Sequence, residues 1–179
     1  MKKIALLLAL FLPLALPQPL FASTHSSQLS NLGMNEIMFA QSMIPHHDQA
    51  VELSKIALRN SSNSEVKKLA SKIVTAQLKE IVQMKYWLKV NNVSAQMGHD
   101  MGMSGMLTSK QVSKLKSLKG AAFDKAFLQG MIDHHNGALE MLYLLRSTKN
   151  AEAKTLATNI RKAQSGEISK MENILAKIS

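Results

Sequence analysis

Two adjacent imidazoles with a thioether one helical turn before them occur twice in this chain. Met43, His46 and His47 lie in FAQSMIPHHDQAVEL (residues 39–53), and Met131, His134 and His135 in FLQGMIDHHNGALEM (residues 127–141). A second repeated stretch follows each copy: LASKIVTAQLKEIVQM (69–84) carries Gln77, Glu80 and Met84, and LATNIRKAQSGEISKM (156–171) carries Gln164, Glu167 and Met171. Residues three and four apart on a helix are neighbours, so each Met lies beside both of its histidines. Folding each half about turns near residues 61 and 149 sets Gln77 level with His47, Glu80 with Met43, and Met84 about one turn further. Gln164, Glu167 and Met171 do the same in the second half, so each half gathers imidazole, thioether, amide and carboxylate in one interior.

That donor set discriminates among metals. Thioether sulfur is soft and selects Cu(I), whereas imidazole accepts Cu(I), Cu(II) or Zn. Oxygen cages for Ca or Mg would need more carboxylates than either repeat supplies. Copper uses both ligand types: the thioethers favour Cu(I), the imidazoles admit Cu(II), and silver is a mimic of Cu(I). Gln77, Glu80, Gln164 and Glu167 either bind directly or hold the free ring nitrogens of the histidines. Packing accounts well for Met34, Met38 and Met141, which stand singly on apolar stripes. It accounts poorly for paired, repeated histidines, because a buried imidazole needs a polar partner.

A third motif lies between the repeats, MGHDMGMSGM at residues 97–106, with Met97, His99, Met101, Met103 and Met106. Gly, Ser and Asp interrupt every apolar face, so this is no core helix. A flexible run of thioethers can wrap a two- or three-coordinate Cu(I) or Ag(I), and thioethers bind without losing a proton.

Helical periodicity supplies the elements that must position these groups. From Met34 to about Arg59, Phe39, Met43, Ala50, Leu53 and Ala57 form one stripe, with Ile37, Ile44, Val51 and Leu58 beside it. Pro45 removes an amide donor at a cost of about 3 kcal/mol inside a helix, so this helix is kinked there or starts there. Ser62 and Glu65 have the spacing of a capping box for a second helix from Ser64 to Val90, with Tyr86 and Trp87 as core or rim anchors near its end. A short basic helix follows the Met-rich loop, capped by Thr108 and Gln111 and stopped by Gly120. Two further long helices run from about Ala121 to Ser147 and from about Ala151 to Ile178. The expected fold is all-α: a ferritin-like four-helix bundle over residues 34–179, built from two repeated hairpins (34–90 and 121–179). The middle connection, residues 91–120, is long enough for a single crossover.

Ahead of the bundle, Lys2 and Lys3 precede the apolar run Ile4–Leu16 and a Pro-containing exit to Ala22. This is the pattern of a secretory signal peptide over residues 1–22, too short for a resident span and cleaved near Ala22. Residues 23–33 are polar and expected to be disordered. The protein is therefore expected in the periplasm or outside the cell, with no transmembrane segment after signal removal. It contains no cysteine, so stability rests on the packed core rather than on disulfides. The net charge of +10, from 22 basic and 12 acidic residues, would suggest nucleic acid in a cytoplasmic protein; export removes that partner. Lys67, Lys68, Lys79, Lys154 and Lys162 fall on solvent faces, whereas Lys110, Lys114, Lys116, Lys119 and Lys125 form a run suited to an acidic partner or anionic surface.

The doubled M-I-x-H-H stretches, the Q-x-x-E-I-x-x-M stretches and the Met-Gly-His loop between them resemble an exported ferritin-like family catalogued as a domain of unknown function, which includes CopM-type copper-binding proteins. The resemblance covers essentially Met34 to Lys177. It implies a ferritin-like bundle in the periplasm, copper binding through Met and His, and a role in copper resistance or homeostasis. Residue by residue it points to Met43, His46, His47, Met84, Met131, His134, His135 and Met171, with the 97–106 loop as an accessory site. The expected function is non-enzymatic sequestration or transfer of copper. The alternatives are a ferritin-like cuproxidase or ferroxidase, and a docking partner of a metal exporter. Di-iron bundles carry Glu-x-x-His on two helices, a motif this chain lacks.

Overall fold

The computed structural model describes residues 32–96 and 103–178. The leader, the polar segment to residue 31, and Met97, His99 and Met101 lie outside the described residues. The helices are α1 (Met34–Asn60), α2 (Ser64–Val90), a short α3 (Ser109–Ser117), α4 (Gly120–Met141) and α5 (Ala151–Ile178). A 3-10 turn, Leu142–Leu145, extends α4.

The expected stripe of α1 is its buried face: Phe39, Met43, Ala50, Leu53 and Ala57 are fully buried. Leu58, assigned beside it, is instead 37% exposed. The helix runs unbroken through Pro45, so it does not start there. The α-helix expected to reach Ser147 gives way at Met141 to the 3-10 turn. Residues three apart eclipse in that geometry, which sets Leu142 and Leu145 on one face, both buried against the α1 side of the core.

The capping box expected from Ser62 and Glu65 does not form. Asn63 caps α2 instead, its Oδ1 accepting the N–H groups of Glu65 at 2.8 Å and Val66 at 3.3 Å. Asn63 is therefore expected to contribute about 1 kcal/mol and Ser62 almost nothing. Thermal unfolding of Asn63→Ala and Ser62→Ala checks this, and equal losses would argue against the cap. The Thr108–Gln111 box of α3 forms as its spacing predicts. However, α3 ends at Ser117, and Gly120, at φ +56°, opens α4 rather than closing α3.

The two hairpins, α1–α2 and α4–α5, pack as a ferritin-like bundle. At one end Trp87 Nε1 donates to Glu152 at 3.3 Å, and at the other Lys177 pairs with Glu65 at 3.0 Å, so α2 and α5 are antiparallel. The start of α1 meets the end of the α4 segment, where the Thr148 hydroxyl donates to the buried Glu36 carboxylate. Helix α2 thus ends at one end of the bundle while α4 begins at the other. The connection must traverse the bundle's whole length, the single crossover of this architecture. Asn60 secures its far end, donating from Nδ2 to the carbonyls of Lys116 and Leu118 at 3.2 and 3.1 Å.

The core consists of two apolar clusters. One holds Phe39, Met43, Met84, Trp87 and Met141; the other holds Leu53, Ile73, Phe127, Met131 and Met171. On every long helix the buried side chains between the clusters are polar: His46 and His47, Gln77, His134 and His135, Gln164. All six are at most 2% exposed. Among the described residues no helix is long and apolar enough to cross a membrane.

Candidate metal centre

The polar layer is arranged about a pseudo-twofold axis. The rings of His46 and His134, equivalent residues of the two repeats, meet with centroids 3.8 Å apart. His47 and His135 turn outward to the second helix of their own hairpin. His47 Nε2 lies 2.7 Å from Glu80 Oε2, and His135 Nε2 lies 2.8 Å from Glu167 Oε2.

Glu80 and Glu167 therefore face the second histidine of each pair, not Met43 and Met131 as the hairpin fold suggested. Side chains on a helix lean toward its N-terminus. In an antiparallel pair the leans of His47 and Glu80 converge, closing a gap of about one turn between their backbones. The carboxylates keep some contact with water, their side chains being 14% and 17% exposed.

These bonds fix the chemistry of the rings. An ionised carboxylate can only accept, so Nε2 of His47 and His135 carries a proton, and in a neutral ring Nδ1 then keeps the lone pair. His46 Nε2 lies 3.1 Å from the Ser104 carbonyl, which imposes the same tautomer. Among the described residues, the Nδ1 atoms of His46, His47 and His135 and both side-chain amides, Gln77 and Gln164, are buried without a hydrogen-bond partner. Such a layer is costly as pure structure, since buried polar atoms are normally satisfied.

Burial also keeps the inner rings neutral. The pKa of His46 is lowered to about 3, chiefly by desolvation and then by His47, with the Ser104 carbonyl opposing. That of His134 is pushed well below the ordinary value by desolvation and by the three neighbouring imidazoles, with the His46 backbone opposing. Neutral imidazole is the ligating form.

Among the described residues no three His, Asp or Glu side chains converge as a hard metal cage. The soft donors border the layer instead, Met43 and Met84 in one apolar cluster and Met131 and Met171 in the other, all four fully buried. Met43 and Met131 stand one turn before their own repeat's histidines on the same helix.

The end of the Met-rich loop is fastened over this layer. Beyond the Ser104 bond to His46, the Gln49 side chain donates to the Leu107 carbonyl at 2.9 Å and accepts the Leu107 N–H at 2.7 Å. Gly137 lets the Ser104 carbonyl approach so closely that a Cβ there would lie 1.9 Å from its oxygen. Gly105 adopts φ +78° against the Asp133 carbonyl. Met103 packs on the first apolar cluster, and Met106 lines a groove of about 340 Å³ between α3 and α4.

Gln49, Gly137 and Gly105 were not among the residues the motifs singled out. The signal was present in part. A helical glycine costs about 1 kcal/mol relative to alanine, and Gly137 replaces, in the second repeat, the Gln49 of the first.

Fold and site together define a ferritin-like four-helix bundle with a doubled histidine–carboxylate interior. The chain belongs to the family described as Domain of unknown function (DUF305), whose sequence profile matches residues 36–175. A Streptomyces coelicolor protein of this family, described as secreted, is 30% identical, with a TM-score of 0.76 over 80% of this chain and 93% of that one. CopM in its Cu(II)-bound form is 30% identical, with a TM-score of 0.70 over 80% of this chain and 97% of that one. CopM has also been solved bound to Cu(I) and to silver. An uncharacterised protein of Acanthamoeba polyphaga mimivirus, L153, is 43% identical over 53 residues, which span 29% of this chain and 35% of that protein.

Proposed function

We propose that this chain is an exported, non-enzymatic copper-binding protein that sequesters or hands on Cu(I) and Cu(II) in copper homeostasis. The observation that carries the reading is the pair of buried histidines, His47 and His135, each held at Nε2 by a carboxylate and bare at Nδ1. A carboxylate–histidine pair orients the ring and raises the basicity of its other nitrogen, the usual outer support of a metal ligand. The likeness to CopM supports copper as the cargo. On this reading Met43, His46, His47 and Met84 serve one half and Met131, His134, His135 and Met171 the other, while Glu80 and Glu167 act through the rings. The Met97–Met106 loop captures the ion, and the leader is removed near Ala22 before the protein acts in the periplasm or outside the cell.

Anaerobic Cu(I) titration against a coloured chelator tests the reading. The wild type is expected to compete, and a folded variant with Ala at His46, His47, His134 and His135 to retain only the metal held by the loop. Glu80→Gln with Glu167→Gln should weaken binding by about 10–100-fold. A four-alanine variant that binds as the wild type does would remove the histidine layer from the site.

A further inference from the structure

The two repeats provide an internal control for the surface. Helices α2 and α5 are equivalent in the bundle, and their buried faces match: Leu69 with Leu156, Gln77 with Gln164, Glu80 with Glu167, Met84 with Met171. Their outer faces do not match.

On α2, Leu78, Val82 and Tyr86 follow one another at every fourth position and are 40%, 67% and 48% exposed. The equivalent positions of α5 are Ser165, Ser169 and Asn173, all exposed and all polar. The bundle therefore does not require apolar residues there. Around this stripe α2 carries Lys67, Lys68, Lys72, Lys79, Lys85 and Lys89, none in an ion pair among the described residues. Their α5 equivalents are Lys154, Thr155, Asn159, Gly166, Glu172 and Ala176, so one cation of six is kept. Both acidic residues of α2 are engaged elsewhere, Glu65 with Lys177 and Glu80 with His47.

We propose that the outer face of α2 is a contact surface for an anionic lipid bilayer, with Leu78, Val82 and Tyr86 entering the headgroup region and the lysines meeting lipid charge. A second copy docked through this same face is a poor occupant, because it would set six lysines of α2 against six with no free carboxylate of α2 between them. The charge is spread along about 33 Å of a convex helix rather than gathered in a cleft. The two described grooves lie elsewhere, beside α3 and α4 and beside α4 and α5. A flat anionic surface complements such a line of charge, and short apolar side chains among lysines give the shallow insertion of interfacial helices. The basic run at α3 fits less well: Lys116 is paired with Glu52 at 2.8 Å, and Lys119 donates to the Asn60 side chain.

Co-sedimentation of the chain from Ser23 with vesicles tests this, the apolar run Ile4–Leu16 being omitted so that it cannot itself insert. Vesicles of equal parts phosphatidylglycerol and phosphatidylcholine are expected to bind the protein, those of phosphatidylcholine alone to leave it in solution, and added salt to release it. Leu78→Ser, Val82→Ser and Tyr86→Asn together install the second repeat's own residues at exposed helix positions. They should weaken binding about tenfold with an unchanged circular dichroism spectrum. Lys79→Gln, Lys85→Gln and Lys89→Gln together should weaken it about a hundredfold, each lysine near an anionic surface being worth roughly fivefold. Failure to bind anionic vesicles, binding unaffected by both sets of substitutions, or a dimer abolished by the first set would each overturn the proposal.

Discussion

Gly137→Ala is expected to destabilise the protein by about 1–3 kcal/mol, although alanine is the better helix former by about 1 kcal/mol. The new Cβ would stand 1.9 Å from the Ser104 carbonyl oxygen, and that atom is backbone, so the crossover itself must move. His46 then loses the acceptor of its Nε2–H. Denaturant midpoints should fall, and limited proteolysis should cut near residues 103–107 sooner than in the wild type. Gly166→Ala is the matched control. It lies in the interior of α5 with nothing within 4 Å of its added Cβ, so it should stabilise by up to about 1 kcal/mol. If both substitutions stabilise, the crossover is not seated on α4 as described.

The second large effect is one of pH. His46 titrates near 3 in the folded protein, and His134 well below its ordinary value, against about 6.5 for either residue in the unfolded chain. Below about pH 6.5 the unfolded state therefore binds protons that the folded state refuses. The stability of the metal-free protein should be flat with respect to these groups above about pH 6.5. It should fall as the pH drops below about 6.5, with a limiting slope of about 1.4 kcal/mol per pH unit for each histidine that stays neutral in the folded state. Carboxylates add their own dependence at the acid end, so the decisive quantity is a difference. A His46→Leu, His134→Leu variant should show a shallower slope of urea midpoint between about pH 6.5 and pH 5. Equal slopes would mean that the inner rings are not held neutral by burial.

Much of the architecture was legible because it rests on local signals. Helical spacing located α2 and α5 at their observed limits, and the doubled His-His and Gln-x-x-Glu stretches marked the layer that divides the core. What depended on contact between elements was harder to read. The pairing of Glu80 with His47 was set one turn away, because spacing along a chain does not include the opposed lean of side chains on antiparallel helices. The cap of α2 was assigned to Ser62 by a motif, whereas Asn63, one residue nearer the helix, reaches both unpaired N–H groups. Gly137 belongs to no motif, and what requires it is the crossover that lies against it.

The meeting of His46 with His134 across the pseudo-twofold axis is the geometry of a homodimer of hairpins whose subunits have been joined end to end. In a true dimer every residue must serve both sides of the interface at once. Fusion lifts that obligation. One copy keeps glutamine at position 49 to hold the Leu107 backbone, and the other keeps glycine at position 137 to admit the Ser104 carbonyl, so a single crossing strand is gripped from two unlike sides. Among the described residues, only the His46 ring of the central pair hydrogen-bonds that strand. A layer built from two like halves has thereby become polar in the other sense of the word: the His46 ring is bonded to the methionine loop, and among the described residues the His134 side meets that loop through backbone.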